Sequence, residues 1–290
     1  MPESALTVAL LVRDPSLAAA VARGLSSSRY SLVPVDPAGD PVQELDRLRE
    51  DVDALLIEQG GIPPRELEGL TQHGLVWPAV VIGEVNGEIA FHEAEVRLPP
   101  DQLEQLSYSL DASVSRFLRQ GLASPGQTAA KAGAPAGGAD VGDQPAAAMA
   151  WRLDDRLRDR LGLLGVFYKR DPSRFLRNLP PSESEELLQS LQRTYRDLLL
   201  SYFRNPSVAN QALESFVNTA FFSDLPITKT VQIHMDLIDS FSKKLSFEGH
   251  KSDFLQDYRL ALLDVMAHLC EMYRRSVPPD VPLVRLPKDA

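Results

Sequence analysis

Val8-Ala9-Leu10-Leu11-Val12 is a five-residue run without a polar side chain, and two more runs of the same kind follow it, Ala54-Leu55-Leu56-Ile57 and Ala79-Val80-Val81-Ile82. A strand with one wet face alternates apolar and polar residues, so runs that are apolar throughout predict strands covered on both faces. Amphipathic stretches separate them: Leu17 to Leu25, Val42 to Arg49, Leu67 to His73 and Leu103 to Leu118, with a further short run at Leu32 to Val35. This alternation predicts a parallel sheet with helices on both sides, at the size of one flavodoxin-like domain over residues 1–122.

Outward from that domain the texture changes. Residues 123–150 are dominated by Ala, Gly and Pro and carry no period of 2 or 3.6, which predicts a linker. From 151 to 276 the period is helical. Leu153, Leu157, Leu161, Leu164 and Phe167 recur on one helical face. Ser182 and Glu185 stand at capping-box spacing and predict the start of a long helix that Asn205-Pro206 ends. Further helices are predicted from Val208 to Phe222, from after Asp224 to Leu245, and from Ser252 to Arg275. Long helices with short connections pack as a bundle. The tail, 277–290, carries four prolines and is predicted to be extended. The fold class is therefore α/β plus all-α: a flavodoxin-like domain, a linker, and a four-helix bundle.

Composition narrows the function. The chain has 290 residues and a formal net charge of -10, and its first 150 residues hold about 10 Lys and Arg against 21 Asp and Glu. An acidic half with no basic stripe in the other half argues against nucleic acid. With one cysteine, Cys270, no intramolecular disulfide forms, and no stretch approaches the roughly 18 apolar residues of a membrane span, so a cytoplasmic location is expected. Cys270 lies in an apolar helical stretch and is expected in the core.

Motifs for chemistry are missing. No phosphate-binding glycine loop and no nucleophile elbow occurs, so no catalytic residue is expected. Asp264 and His268, and His234 with Asp236 and Asp239, are spaced for one helix face, but no third strong ligand is fixed, so no metal is expected either. The first domain resembles the receiver domains of response regulators in fold only. Arg13 and Asp14 follow the first strand where receivers have an acidic pair, Glu58 stands for the phosphorylated Asp, Gly83 for the Ser/Thr, and Leu98 lies near the place of the Lys. A lone acid beside an arginine is a weak magnesium site, and Glu58 is one methylene longer than aspartate. The domain reads as a pseudo-receiver.

A closer resemblance covers the second half. Residues 161–180 (LGLLGVFYKRDPSRFLRNLP), 200–203 (LSYF), 216–218 (FVN), 220–222 (AFF), 233–235 (IHM), 257–260 (DYRL) and 267–276 (AHLCEMYRRS) together resemble the C-terminal domain of the KaiA family of cyanobacterial circadian clock proteins. That resemblance implies a domain-swapped homodimer whose helical domain binds the C-terminal tail of the clock kinase KaiC and stimulates its autophosphorylation, antagonised by KaiB on KaiC. It also implies an oxidised quinone as a candidate ligand of the pseudo-receiver, with no other cofactor. A peptide laid across helices needs an apolar floor and polar clamps. Met235 and Met272 are candidates for the floor, Asp239, Lys243, His268, Glu271 and Arg274 for the clamps, and Leu161, Leu164, Phe167, Phe221 and Phe222 for the dimer seam. The alternative reading is a dimeric helical phosphotransfer protein with His234 or His268 as acceptor, or a phosphatase-activating protein of a bacterial signalling cascade.

Overall fold

The computed structural model describes residues 5–27, 29–120, 170–247 and 253–276. Five parallel strands, β1 (Leu6–Leu11), β2 (Tyr30–Pro34), β3 (Ala54–Glu58), β4 (Ala79–Ile82) and β5 (Val96–Leu98), form one sheet in the order β2-β1-β3-β4-β5. Their register sets Leu10 beside Leu56 and Leu56 beside Val80, so the three apolar runs lie next to one another at the centre of the sheet. Ala54 to Ile57 and Ala79 to Ile82 are all buried, as two-sided coverage requires.

Helices α1 (Pro15–Gly24), α2 (Pro41–Arg47), α3 (Pro64–Gln72) and α4 (Leu106–Gln120) flank the sheet, the last preceded by a 3-10 turn over Pro100–Gln105. Local chemistry fixes their starts. Asp14 and Asp40 cap α1 and α2 by accepting from the amides of Ser16 and Gln43, and a proline occupies the first turn in each case. No described residue between β4 and β5 is helical; a loop connects them.

The loop is held from inside. Arg97, paired in register with Val81, sends its Nε to Glu95 Oε1 at 3.1 Å and its terminal nitrogens to the carbonyls of Glu84 and Glu88. Glu95 in turn accepts from the amides of Ala90 and Phe91. Both side chains are almost wholly buried, so each neutralises a charge that would otherwise be stranded.

The helical part comprises α5 (Pro181–Ser201), α6 (Pro206–Phe222), α7 (Ile227–Phe247) and α8 (Arg259–Ser276), with a 3-10 turn over Asp253–Tyr258 before α8. Tyr195 and Phe216 meet edge to face at 4.8 Å in its core, both fully buried. The capping box is not used. Pro180 is the N-cap and makes no side-chain cap bond, because Pro181 at the first helical position presets the backbone and leaves Ser182 inside the helix. Helix α5 stops at Ser201, with three residues between it and the Asn205-Pro206 pair, and Asn205 caps α6 by accepting from Val208 N.

One expectation fails here. Cys270 is exposed; the buried stripe of α8 is Ala261, Val265, Leu269 and Met272, and a cysteine one position past Leu269 turns about 100° away from it. Phe221 and Phe222, candidates for core or dimer seam, are buried within this chain, with Phe221 against Tyr273 at 5.1 Å and under the Arg170 guanidinium. Leu161, Leu164 and Phe167, the linker and the tail lie outside the described residues.

Candidate functional site

At the carboxyl ends of the strands, where open α/β sheets bind ligands, a cleft of about 530 Å³ is lined by Asp14, Leu17, Glu58, Gly83, Glu84 and Leu103 among others. The residues in the receiver positions are committed to structure. Glu58 Oε2 accepts from the backbone amides of Arg13 at 2.6 Å and Asp14 at 3.0 Å. Asp14 is spent on its cap, and the hydrogen bonds from Ser16 hold its carboxyl below the usual carboxylate range. Gly83 donates to Leu98 O at 3.0 Å, and a Cβ there would collide with the Gln59 side chain. Leu98 is fully buried and offers no cation. The site thus pins the β1–α1 loop with the carboxylate that a receiver would phosphorylate.

The second candidate is on the bundle. Residues four apart on a helix share a face, and α7 sets Met235, Asp239 and Lys243 in one row, with Asp239 and Lys243 3.4 Å apart. Met235 is 58 % exposed. On α8, His268 Nδ1 lies 2.8 Å from Asp264 O, and Glu271 grips Arg274 through two bonds of 2.7 and 2.6 Å and Arg275 through one of 2.6 Å. Met272 is instead part of the core, as its place on the buried stripe dictates.

The structure gathers these residues into two rows rather than one groove. Helix α8 packs on α6 and α7 on α5, while α7 and α8 do not pack closely on each other. Large exposed apolar side chains concentrate on the same helices: Val231, Met235 and Phe247 on α7, Leu260 and Leu263 on α8, with Leu200 and Phe203 near the end of α5. Leu260 and Leu263 were not singled out from sequence, although apolar residues off the Ala261–Met272 stripe are the signal that finds them. Tyr202, whose hydroxyl donates to the Asp264 carboxylate, and the Phe203–Tyr258 ring pair join the end of α5 to the start of α8; neither was foreseen, since partners so far apart in sequence leave no local pattern.

Glu271 provides a direct check of this geometry. The hydrogen bonds from Arg274 and Arg275 draw its carboxyl down to about 2. Its ionised form is therefore favoured in the folded chain, and the contribution it makes is present above its ordinary value of 4.5 and lost as pH falls through about 2. A carbon-13 titration of the Glu271 side chain should show that depressed midpoint, and Arg274→Ala with Arg275→Ala should return it toward 4.5.

His234 is placed very differently from His268. It is buried, and its Nδ1 lies 3.1 Å from the hydroxyl of Tyr195. Burial lowers its pKa below 6.5, so the stability it contributes is complete above pH 6.5 and is lost as pH falls through the folded value. Urea midpoints between pH 7.5 and 5 should fall more steeply for the parent than for His234→Gln, which keeps a hydrogen-bonding group and does not titrate. A buried imidazole already bonded to a tyrosine is inaccessible to a phosphoryl donor.

A receiver-topology sheet with Arg13, Asp14, Glu58, Gly83 and Leu98 in the receiver positions, followed by a helical bundle that carries exposed apolar and charged rows, defines a pseudo-receiver domain paired with a helical domain. Comparison with known proteins specifies it further. Residues 6–121 match the model of the circadian clock protein KaiA N-terminal domain and residues 159–280 that of the KaiA C-terminal domain. The chain is 54% identical over 289 residues to the circadian clock oscillator protein KaiA of Parasynechococcus marenigrum, covering 98% of this chain and 93% of the relative. It is 41% identical over 284 residues to that of Synechococcus elongatus, covering 95% and 98%. A crystal structure of the C-terminal domain of Thermosynechococcus elongatus BP-1 KaiA is 46% identical, covers 35% of this chain and 95% of that one, and has a TM-score of 0.32. The chain belongs to the KaiA family of circadian clock oscillator proteins. No described helix is long and apolar enough to cross a membrane.

Proposed function

We propose that this chain acts as a non-enzymatic, cytoplasmic homodimer that binds the C-terminal tail of the clock kinase KaiC and so stimulates KaiC autophosphorylation, with KaiB on KaiC antagonising it. The observation that carries the reading is the pair of exposed rows on α7 and α8. Met235 and Leu263 are 58 % and 63 % exposed, flanked by Asp239, Lys243 and His268. Apolar side chains left in water beside paired charges suit a peptide that buries its own apolar residues and exchanges ion pairs at the rim. Because α7 and α8 are separate rows within one chain, a second copy is the natural source of the missing wall of the groove. The receiver positions are closed to phosphotransfer, which favours a binding role for the sheet domain; an oxidised quinone as its ligand would shift amide signals around the strand-end cleft.

The test is calorimetric titration of the purified chain with a synthetic KaiC tail peptide, beside His268→Ala and Asp239→Ala. Saturable binding at one peptide per protomer, weakened at least tenfold in His268→Ala, is the expected result. No heat from a chain shown to be folded would overturn the proposal.

A further inference from the structure

Helix α6 turns a polar face toward the sheet domain. Ser207, Gln211, Glu214 and Asn218 are spaced four, three and four residues apart, which puts them on one side of the helix. Opposite them stand the loop before β5, β5 itself and Arg116 of α4, and between these walls lies a cavity of about 350 Å³. That volume is at the small end of the range for ligand sites, roughly 300–1,000 Å³. The cavity shares no lining residue with the cleft at the strand ends.

Its walls are held in place. Ser207 Oγ donates to Gly87 O at 3.1 Å and Gly87 N donates to Gln211 Oε1 at 3.2 Å, which ties the loop to α6. The buried core is continuous from the sheet domain into α5 and α6. Within it Gln105, on the turn before α4, donates to Ser190 and Thr194 of α5 and accepts from Thr219 of α6, while Gln102 accepts from Thr194. A cavity between walls fixed in this way is preformed.

Three polar groups of the lining are left over. Ser215 is 7 % exposed, its Oγ is cut off from solvent, and it makes no hydrogen bond to any described residue. A hydroxyl buried without a partner is a net cost, and alanine, the better helix former, would avoid it. The half-buried Asn218 amide also has no partner among the described residues. Arg116 commits only Nη1, to Glu214 and the Glu95 carbonyl, so the Nε–Nη2 edge of its guanidinium stays open.

Charge decides what fits. Arg97 is matched by Glu95 and Arg116 by Glu214, and the exposed Glu93 adds one more carboxylate. A bare anion would meet that surplus negative charge, and a bare cation would leave the open guanidinium edge unused. A molecule of both signs suits both: a carboxylate matches the planar fork of Arg116, and an ammonium matches Glu214 and Glu93.

We propose that this cavity binds a free α-amino acid with an amide or hydroxyl side chain, its carboxylate on Arg116, its ammonium toward Glu214 and Glu93, and its side chain paired with Ser215 and Asn218. The inference stands apart from the tail-binding proposal, because its test contains no KaiC.

The experiment is saturation-transfer NMR and calorimetric titration of the full-length chain with L-glutamine, L-asparagine, L-serine and L-threonine, each up to about 10 mM. Acetate, methylammonium, inorganic phosphate and adenosine serve as comparison probes. Saturable binding of at least one of the amino acids, and of none of the comparison probes, is the expected result. Ser215→Ala should be as folded as the parent by circular dichroism and no less stable to urea, yet bind about tenfold more weakly for want of one hydrogen bond. Arg116→Lys, which keeps a cation beside Glu214 but loses the planar fork, should weaken binding at least as much. No saturable binding of any of the amino acids to the folded parent would overturn the proposal, as would tighter binding of phosphate or adenosine, or amino-acid binding that both variants leave unchanged. A Ser215→Ala variant less stable than the parent would overturn it too, since the hydroxyl would then already be bonded within the chain.

Discussion

Arg97→Ala is expected to destabilise the sheet domain by about 3–5 kcal/mol, because it leaves the Glu95 carboxylate buried without its cation. The same substitution frees the carbonyls of Glu84 and Glu88, which Arg97 holds at 3.3 and 2.7 Å. Amide exchange at Ala90 and Phe91, whose protons rest on Glu95, should accelerate before the central strands β3 and β4 lose protection. Adding Glu95→Gln to Arg97→Ala should recover part of the loss, since the amide oxygen still accepts from the loop and carries no charge. Full stability in Arg97→Ala would show that the ion pair is not what holds the loop.

Phe216→Ala is expected to cost about 3–5 kcal/mol in the bundle, the range for emptying a wholly buried aromatic site. The ring is packed edge to face on Tyr195, whose hydroxyl reaches His234, so the cavity opens beside the polar pair that ties α5 to α7. Urea unfolding followed at the helical band should show the loss, and a folded, fully cooperative variant within 1 kcal/mol of the parent would contradict the packing described.

The residues that were legible from sequence share one property: a single force decides them. β1, β3 and β4 announce themselves because a strand covered on both faces has no polar position to break the run. β5 did not, since Val96-Arg97-Leu98 carries a charge at its centre, which is buried only because Glu95 and the Glu84 and Glu88 carbonyls receive it. The start of α5 was misread because the Ser182–Glu185 spacing is one solution to free helix amides and Pro181 is another, and the proline takes precedence by fixing the backbone first.

The site was half legible. Helical spacing placed Met235, Asp239 and Lys243 together, and the ion pair between the last two follows from it. Met272 was a candidate for the floor of a peptide groove, although its spacing from Val265 and Leu269 puts it on the buried stripe of α8. That α7 and α8 stand apart, and that Gln102 and Gln105 vanish into a domain seam, depends on packing between segments about 90 residues distant, which no local period encodes.

The proposed action on KaiC through the two exposed helical rows is tested most directly by the phosphorylation state of purified KaiC incubated with ATP, with and without the full-length chain. A rise in phosphorylated KaiC that depends on the added chain and fails with His268→Ala is the predicted result. Equal phosphorylation with and without the folded chain would contradict it.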